Sequence, residues 1–152
     1  MADVLKVGER APDFESVDHE GKRVSLKDFR GKPVVVYFYP KDDTPGCTTE
    51  ACGFRDRMGD YEKRGVKVLG ISVDSQKSHK KFQEKYGLNF TLVADDKKEI
   101  SSKYGVLGGN TASRVTYLID KDGIIRHVYP RVSPKEHPEE VMKKLEELGL
   151  VR

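Results

Sequence analysis

Residues 34–39, VVVYFY, are six consecutive apolar or aromatic positions, three of them valine. A run without polar alternation suits a strand covered on both faces, so it predicts the middle strand of a sheet enclosed by other layers. Beyond this run the chain alternates between strand and helix. Helical spacing over Pro45–Arg64 ends at Gly65, and a second apolar strand covers Val66–Val73. A short amphipathic helix over Ser78–Tyr86, with Gly87 behind it, leads to a strand over Phe90–Ala94. A further turn or two of helix over Lys97–Tyr104 ends at Gly105. Arg114–Ile119 and Ile124–Tyr129 flank Asp120-Lys121-Asp122-Gly123, a hairpin signal. Pro134–Leu148 closes the series as a helix with Val141, Leu145 and Leu148 on one face. Near the start, Phe14–Val17 and Arg23–Leu26 around Gly21 predict a small extra hairpin.

This order predicts an α/β fold: a central mixed β-sheet flanked by helices, thioredoxin-like in arrangement, with a small N-terminal hairpin. The 152 residues contain no linker, repeat or low-complexity tract, so 1–152 reads as one domain with its own core. Twenty-eight Lys and Arg are interleaved with 25 Asp and Glu, for a net charge of +3. No basic block tracks a phosphate backbone, which argues against a nucleic-acid partner. No stretch approaches the roughly 20 apolar residues of a membrane span. The opening MADVLKVGERAPDF lacks the apolar core of a signal peptide, so the expected compartment is the cytoplasm.

Both cysteines of the chain, Cys47 and Cys52, come directly after the central strand. Two cysteines cannot build a disulfide scaffold, and a chain this long needs none. Pro40 ends the strand, Lys41-Asp42-Asp43 is a polar turn, and Thr44-Pro45 is a helix start, with a hydroxyl at the N-cap and proline behind it. Cys47 then falls in the first helical turn, where unpaired N–H groups and the helix dipole favour an anion such as a thiolate. Cys47, Ala51, Phe54, Met58 and Tyr61 form one stripe at helical spacing, which turns Cys47 toward the core. Cys52 faces elsewhere. Ideal helix geometry separates the two Cα atoms by roughly 8.7 Å. A disulfide needs them within about 7 Å, so the pair cannot bond unless the helix opens.

Other readings of the cysteines stand beside this one. Two buried, inert cysteines would pack as small hydrophobes. Zinc is poorly served by C-x4-C spacing, and His19, His79, His127 and His137 form no ligand pattern; all four read as solvated surface residues. Neither a metal nor an organic cofactor is expected. A general thiol–disulfide oxidoreductase would want C-x-x-C here, and a non-enzymatic holdase or binding module would need neither thiol. Glu50 lies one turn beyond Cys47, close enough to act through a partner. Arg114 heads the apolar run RVTYLI, where a charge is unexpected unless paired, although surface pairing is the plainer explanation. Arg55 and Arg57 belong to an exposed helix face.

Pro40, Thr44 and Cys47 spell P-x-x-x-T-x-x-C, and with Glu50, Arg114, "GERAPDF" and "TYLIDKDG" the chain resembles the peroxiredoxins over essentially its whole length. Cys52, five residues after Cys47, resembles their Q-type subclass, also called bacterioferritin comigratory protein. The resemblance implies a thioredoxin fold and a thiol-dependent peroxidase acting on hydrogen peroxide and organic hydroperoxides. It implies that the Cys47 thiolate attacks the peroxide and becomes a sulfenic acid. Thr44 and Arg114 would hold the peroxide, Pro40 would shield the sulfenic acid, and Glu50 would orient the arginine. Cys52 would form a disulfide with Cys47, which a thioredoxin-like or glutaredoxin-like dithiol would reduce. The expected assembly is a monomer or weak homodimer.

Overall fold

The computed structural model describes residues 4–151. Residues 1–3 and 152, the ends of the expected 1–152 domain and the start of the N-terminal stretch, lie outside the described residues. Strand β1 (Glu15–Val17) pairs antiparallel with β2 (Arg23–Ser25), which is the expected extra hairpin. The main sheet has five strands: β3 (Val34–Phe38), β4 (Lys67–Ser72), β5 (Thr91–Ala94), β8 (Val115–Ile119) and β9 (Ile125–Tyr129). Their spatial order is β5-β4-β3-β8-β9. β3 runs parallel to β4, and β4 to β5, while β8 is antiparallel to β3 and β9. The sheet is therefore mixed, with β3 at its centre.

All five residues of β3 are buried because both sheet faces are covered. Its pleat divides them: Val34, Val36 and Phe38 enter one core, and Val35 and Tyr37 enter the other, joined by Tyr39. The first core also takes Phe14 near the N-terminus and Ile100 of α3 (Glu99–Lys103). The second is closed by α1 (Pro45–Lys63), α2 (Gln76–Tyr86) and α4 (His137–Glu147). Phe54 of α1 stacks on Tyr37, with ring centroids 4.8 Å apart. At Gly53, α1 approaches α4 so closely that an added Cβ would sit 2.8 Å from Pro138 Cγ. Tyr61 OH donates to the Pro138 carbonyl at 2.8 Å, so the latter part of α1 is fastened to α4 as well as to the sheet.

Element bounds differ from the expected ones by a few residues. α2 begins two residues before Ser78, because Ser75 caps it and accepts the Ser78 N–H at 3.2 Å. α4 begins three residues after Pro134, leaving 134–136 in a turn. Two small features escaped sequence reading: a 3-10 turn at Leu26–Phe29, and a hairpin of β6 (Leu107–Gly108) with β7 (Thr111–Ala112). Two-residue strands are too short to display alternation. Among the described residues, no helix is long and apolar enough to cross a membrane.

Candidate active site

Both cysteines are free thiols on α1, beyond the carboxyl end of β3, the side of an open α/β sheet on which ligands gather. Cys47 is buried, with 1% of its surface exposed, and heads the expected stripe: Ala51, Phe54, Met58 and Tyr61 are all buried too. Cys52 is half-buried. Pro40 is half-buried just past β3. Thr44 occupies the N-cap with extended backbone, φ −101° and ψ 156°, as expected. Its hydroxyl does not cap the helix. It donates instead to the Lys41 carbonyl at 2.8 Å, closing the turn before the helix and leaving the first-turn N–H groups without a side-chain cap.

Arg114 comes to this helix from the bend immediately before β8. One guanidinium nitrogen, Nη2, donates to Cys47 Sγ at 3.4 Å, and the other, Nη1, donates to Glu50 Oε1 at 2.8 Å. The charge at the head of RVTYLI is therefore paired internally, with 20% of its side chain exposed, rather than at the surface. Arg57 pairs with Glu139 at the surface, as expected of an outer helix face, whereas Arg55 pairs with Asp56 but is half-buried, donating through Nη1 to the Tyr86 carbonyl at 2.7 Å. Glu50 is fully buried, and its Oε2 has no hydrogen-bond partner. Burial pushes its carboxyl up to about 7, against the opposing pull of Arg114. Burial acts to lower the Arg114 pKa, but Cys47 and Glu50 outweigh it and hold the guanidinium above its ordinary value. A cation that never deprotonates thus bridges a buried thiol and a buried carboxyl.

Sequence reasoning missed what lets Arg114 in. A Cβ at Gly46 would lie 3.1 Å from Arg114 Nη2 and 3.6 Å from Pro134 Cγ, so glycine keeps this space open. With Arg114 sixty-seven residues from Cys47, no local pattern could reveal that contact. A groove of about 800 Å³ lies elsewhere, among Pro33, Asp60, Arg64, Asp120, Arg126 and Leu148, and none of Pro40, Thr44, Cys47, Glu50, Cys52 and Arg114 lines it.

The histidine expectation needs correcting. His79 and His137 are fully buried, and His19 and His127 are partly so. Each fully buried ring is accommodated because polar partners from elsewhere in the chain meet it. His137 Nδ1 lies 2.8 Å from Glu140 Oε1, and its Nε2 lies 2.8 Å from Thr116 Oγ1. Burial holds the His137 pKa below the usual imidazole value, against the pull of Glu140. His79 meets Asp42 at 2.8 Å and the Val93 carbonyl at 3.0 Å.

The AhpC/TSA family matches residues 7–128 of the chain. The chain belongs to the peroxiredoxins. Peroxiredoxin Q, chloroplastic, of Sedum lineare is 47% identical over 145 residues, covering 93% of this chain and 78% of that protein. The crystal structure of PrxQ from Xylella fastidiosa superimposes with a TM-score of 0.92 at 29% identity, over 97% of this chain and 99% of that one. The bacterioferritin comigratory protein of Xanthomonas campestris, solved in work on its alkyl peroxide reduction activity, has a TM-score of 0.87 at 31% identity, covering 97% and 98% of the two chains. Peroxiredoxins are thiol-dependent peroxidases, so the expected enzyme class and the thioredoxin-like fold are both borne out.

Proposed function

We propose that this peroxiredoxin reduces hydrogen peroxide and organic hydroperoxides at Cys47 and is reset through Cys52. The carrying observation is the 3.4 Å contact from Arg114 Nη2 to Cys47 Sγ, backed by the 2.8 Å bond from Nη1 to Glu50. The guanidinium and the start of α1 put positive charge beside that sulfur, the partner that a reacting thiolate needs. The thiolate attacks one peroxide oxygen and the O–O bond breaks. Sulfur is oxidised by two electrons to a sulfenic acid, and the other oxygen leaves as water or an alcohol after taking up a proton. Arg114 and the Thr44 hydroxyl stabilise the charge that develops on the peroxide oxygens. Glu50 orients the guanidinium, and Pro40 shields the sulfenic acid from further oxidation. The Cys52 thiol then attacks the Cys47 sulfur, an S–S bond forms, and water departs.

An external dithiol of the thioredoxin or glutaredoxin type returns both thiols by exchange. The alkyl peroxide activity of the Xanthomonas protein supports the substrate class. This reading makes 1–152 a single catalytic domain, acting as a monomer or weak homodimer in the cytoplasm, where dithiol reductants hold thiols reduced. Paired serine variants test it. Cys47→Ser should abolish peroxide consumption, because serine is not ionised at neutral pH. Cys52→Ser should react once and then fail to turn over with thioredoxin. Wild-type turnover in Cys47→Ser would end the reading.

A further inference from the structure

Between Pro40 and Thr44 the chain is held by groups that the proposed chemistry does not use. Asp42 has 7% of its surface exposed, and its carboxyl gathers three partners. Tyr39 OH donates to Oδ1 at 2.6 Å, Ser78 Oγ donates to Oδ2 at 2.7 Å, and His79 Nδ1 lies 2.8 Å from Oδ2. The other ring nitrogen of His79 lies 3.0 Å from the Val93 carbonyl, which can only accept, so Nε2 carries a hydrogen. The Nδ1 bond to Asp42 then needs one more proton, shared by the buried pair. The backbone N–H of Asp42 donates to Asp74 Oδ2 at 2.9 Å. Asp43, at φ 56°, adds rim contacts from Lys85 Nζ and Tyr86 OH at 2.8 and 2.7 Å.

Exposed pairs such as Asp43–Lys85 hold little. The enclosed Asp42–His79 pair holds much more, because removing one partner leaves the other buried and unpaired. Its place in the chain is what matters. Asp42 is two residues from Pro40, two from Thr44 and five from Cys47. The Thr44 carbonyl accepts the Thr48 N–H at 2.8 Å, so the turn that Asp42 fixes sets where α1 begins. From α2, then, the pair governs the position of the first turn that carries the thiol.

We propose that Asp42 and His79 are positioning residues for the peroxide reaction, a buried clamp fixing the Pro40–Thr44 turn beneath Cys47. This rests on the proposed role of Cys47. Displacing reacting groups by about 1 Å can cost on the order of 100-fold in rate, so releasing the turn should be felt in chemistry.

The test separates position from stability. In Asp42→Ala/His79→Leu both members of the pair become apolar, so no charge is stranded and the cost falls on two neutral groups, the Tyr39 hydroxyl and the Val93 carbonyl, which circular dichroism should show the fold survives. In Asp42→Asn the amide can accept from Tyr39 and donate to a neutral His79, which preserves the clamp. Each reduced protein is mixed with hydrogen peroxide, and separately with iodoacetamide, which reads thiolate reactivity without the peroxide geometry. The double variant should react with peroxide at least fivefold more slowly while alkylating no more slowly than wild type. Asp42→Asn should recover most of the peroxide rate. A wild-type peroxide rate in the double variant, equal losses in both reactions, or an Asp42→Asn variant as slow as the double variant would overturn the clamp. Wild-type protein in the same experiment must consume peroxide; if it does not, the failure lies in the proposed role of Cys47.

Discussion

Arg114 Nη2 lies 3.4 Å from Cys47 Sγ, a contact between the bend before β8 and the first turn of α1 across 67 residues of sequence. Strand β3 makes it possible, because it is paired with β8 on one side and leads straight into the loop that begins α1. The same guanidinium is held by Glu50, so its orientation is fixed before any substrate arrives. Catalytic charge stabilisation is most effective when the groups need not reorganise during the reaction.

Removing the guanidinium should therefore show in the oxidation step. Arg114→Ala is expected to slow thiol oxidation by peroxide more than tenfold, which is over about 1.4 kcal/mol of transition-state stabilisation. Arg114→Lys should recover only part, because one ammonium cannot bond sulfur and carboxylate in the fork geometry. Arg57→Ala, which loses only a surface pair with Glu139, is the control and should react as wild type in stopped-flow mixing.

Gly46 allows stability and activity to be moved in opposite directions. Alanine is the better helix former, by up to about 1 kcal/mol. Its Cβ, however, would lie 3.1 Å from Arg114 Nη2 and push the guanidinium off the sulfur. Gly46→Ala should melt no lower than wild type and yet react several-fold more slowly with peroxide. A variant as fast as wild type would show that Arg114 does not need this space.

The buried carboxyl should leave a pH signature on stability. The Glu50 pKa is raised from 4.5 to about 7 in the folded chain, so the folded state holds its proton more tightly than the unfolded state. Stability from this group is full below about 4.5 and is lost as pH rises through about 7. Relative to Glu50→Gln, wild type should lose on the order of 3 kcal/mol between pH 4.5 and pH 8 in urea unfolding. Parallel pH profiles for the two proteins would contradict the assigned shift.

Disulfide formation should open the start of α1 and little else. Cys47 and Cys52 sit in one continuous helix, in which ideal geometry keeps their Cα atoms roughly 8.7 Å apart. Beyond them, Phe54 stacks on Tyr37 and Gly53 is pressed against Pro138, so the rest of the helix should stay docked. Hydrogen exchange in the oxidised protein should accelerate between Thr44 and Phe54 and remain slow from Met58 onward. Unchanged exchange over 44–54, with a Cys47–Cys52 disulfide confirmed, would refute the opening.

Much of this arrangement is legible in the amino-acid order, and the remainder has an identifiable cause. The VVVYFY run announces a central strand because burial on both faces removes alternation, and the Cys47–Tyr61 stripe shows which way the thiol faces. Arg114 stands out as a charge heading an apolar strand. The buried histidines do not stand out. Whether an imidazole is buried depends on partners such as Asp42 and Thr116, which lie 37 and 21 residues away and come close only after folding. Gly46 is opaque for the same reason: its value lies in the space left for a residue from the bend before another strand.

Addition of stoichiometric hydrogen peroxide to the fully reduced protein, with thiol counting and peptide mapping afterwards, tests the proposed cycle most directly. Both thiols should disappear together in the wild type, with the peptides carrying Cys47 and Cys52 joined by a reducible bond. In Cys52→Ser the oxidation should stop at Cys47 as a sulfenic or sulfinic acid. Retention of both thiols in the wild type, with peroxide left unconsumed, would contradict the cycle.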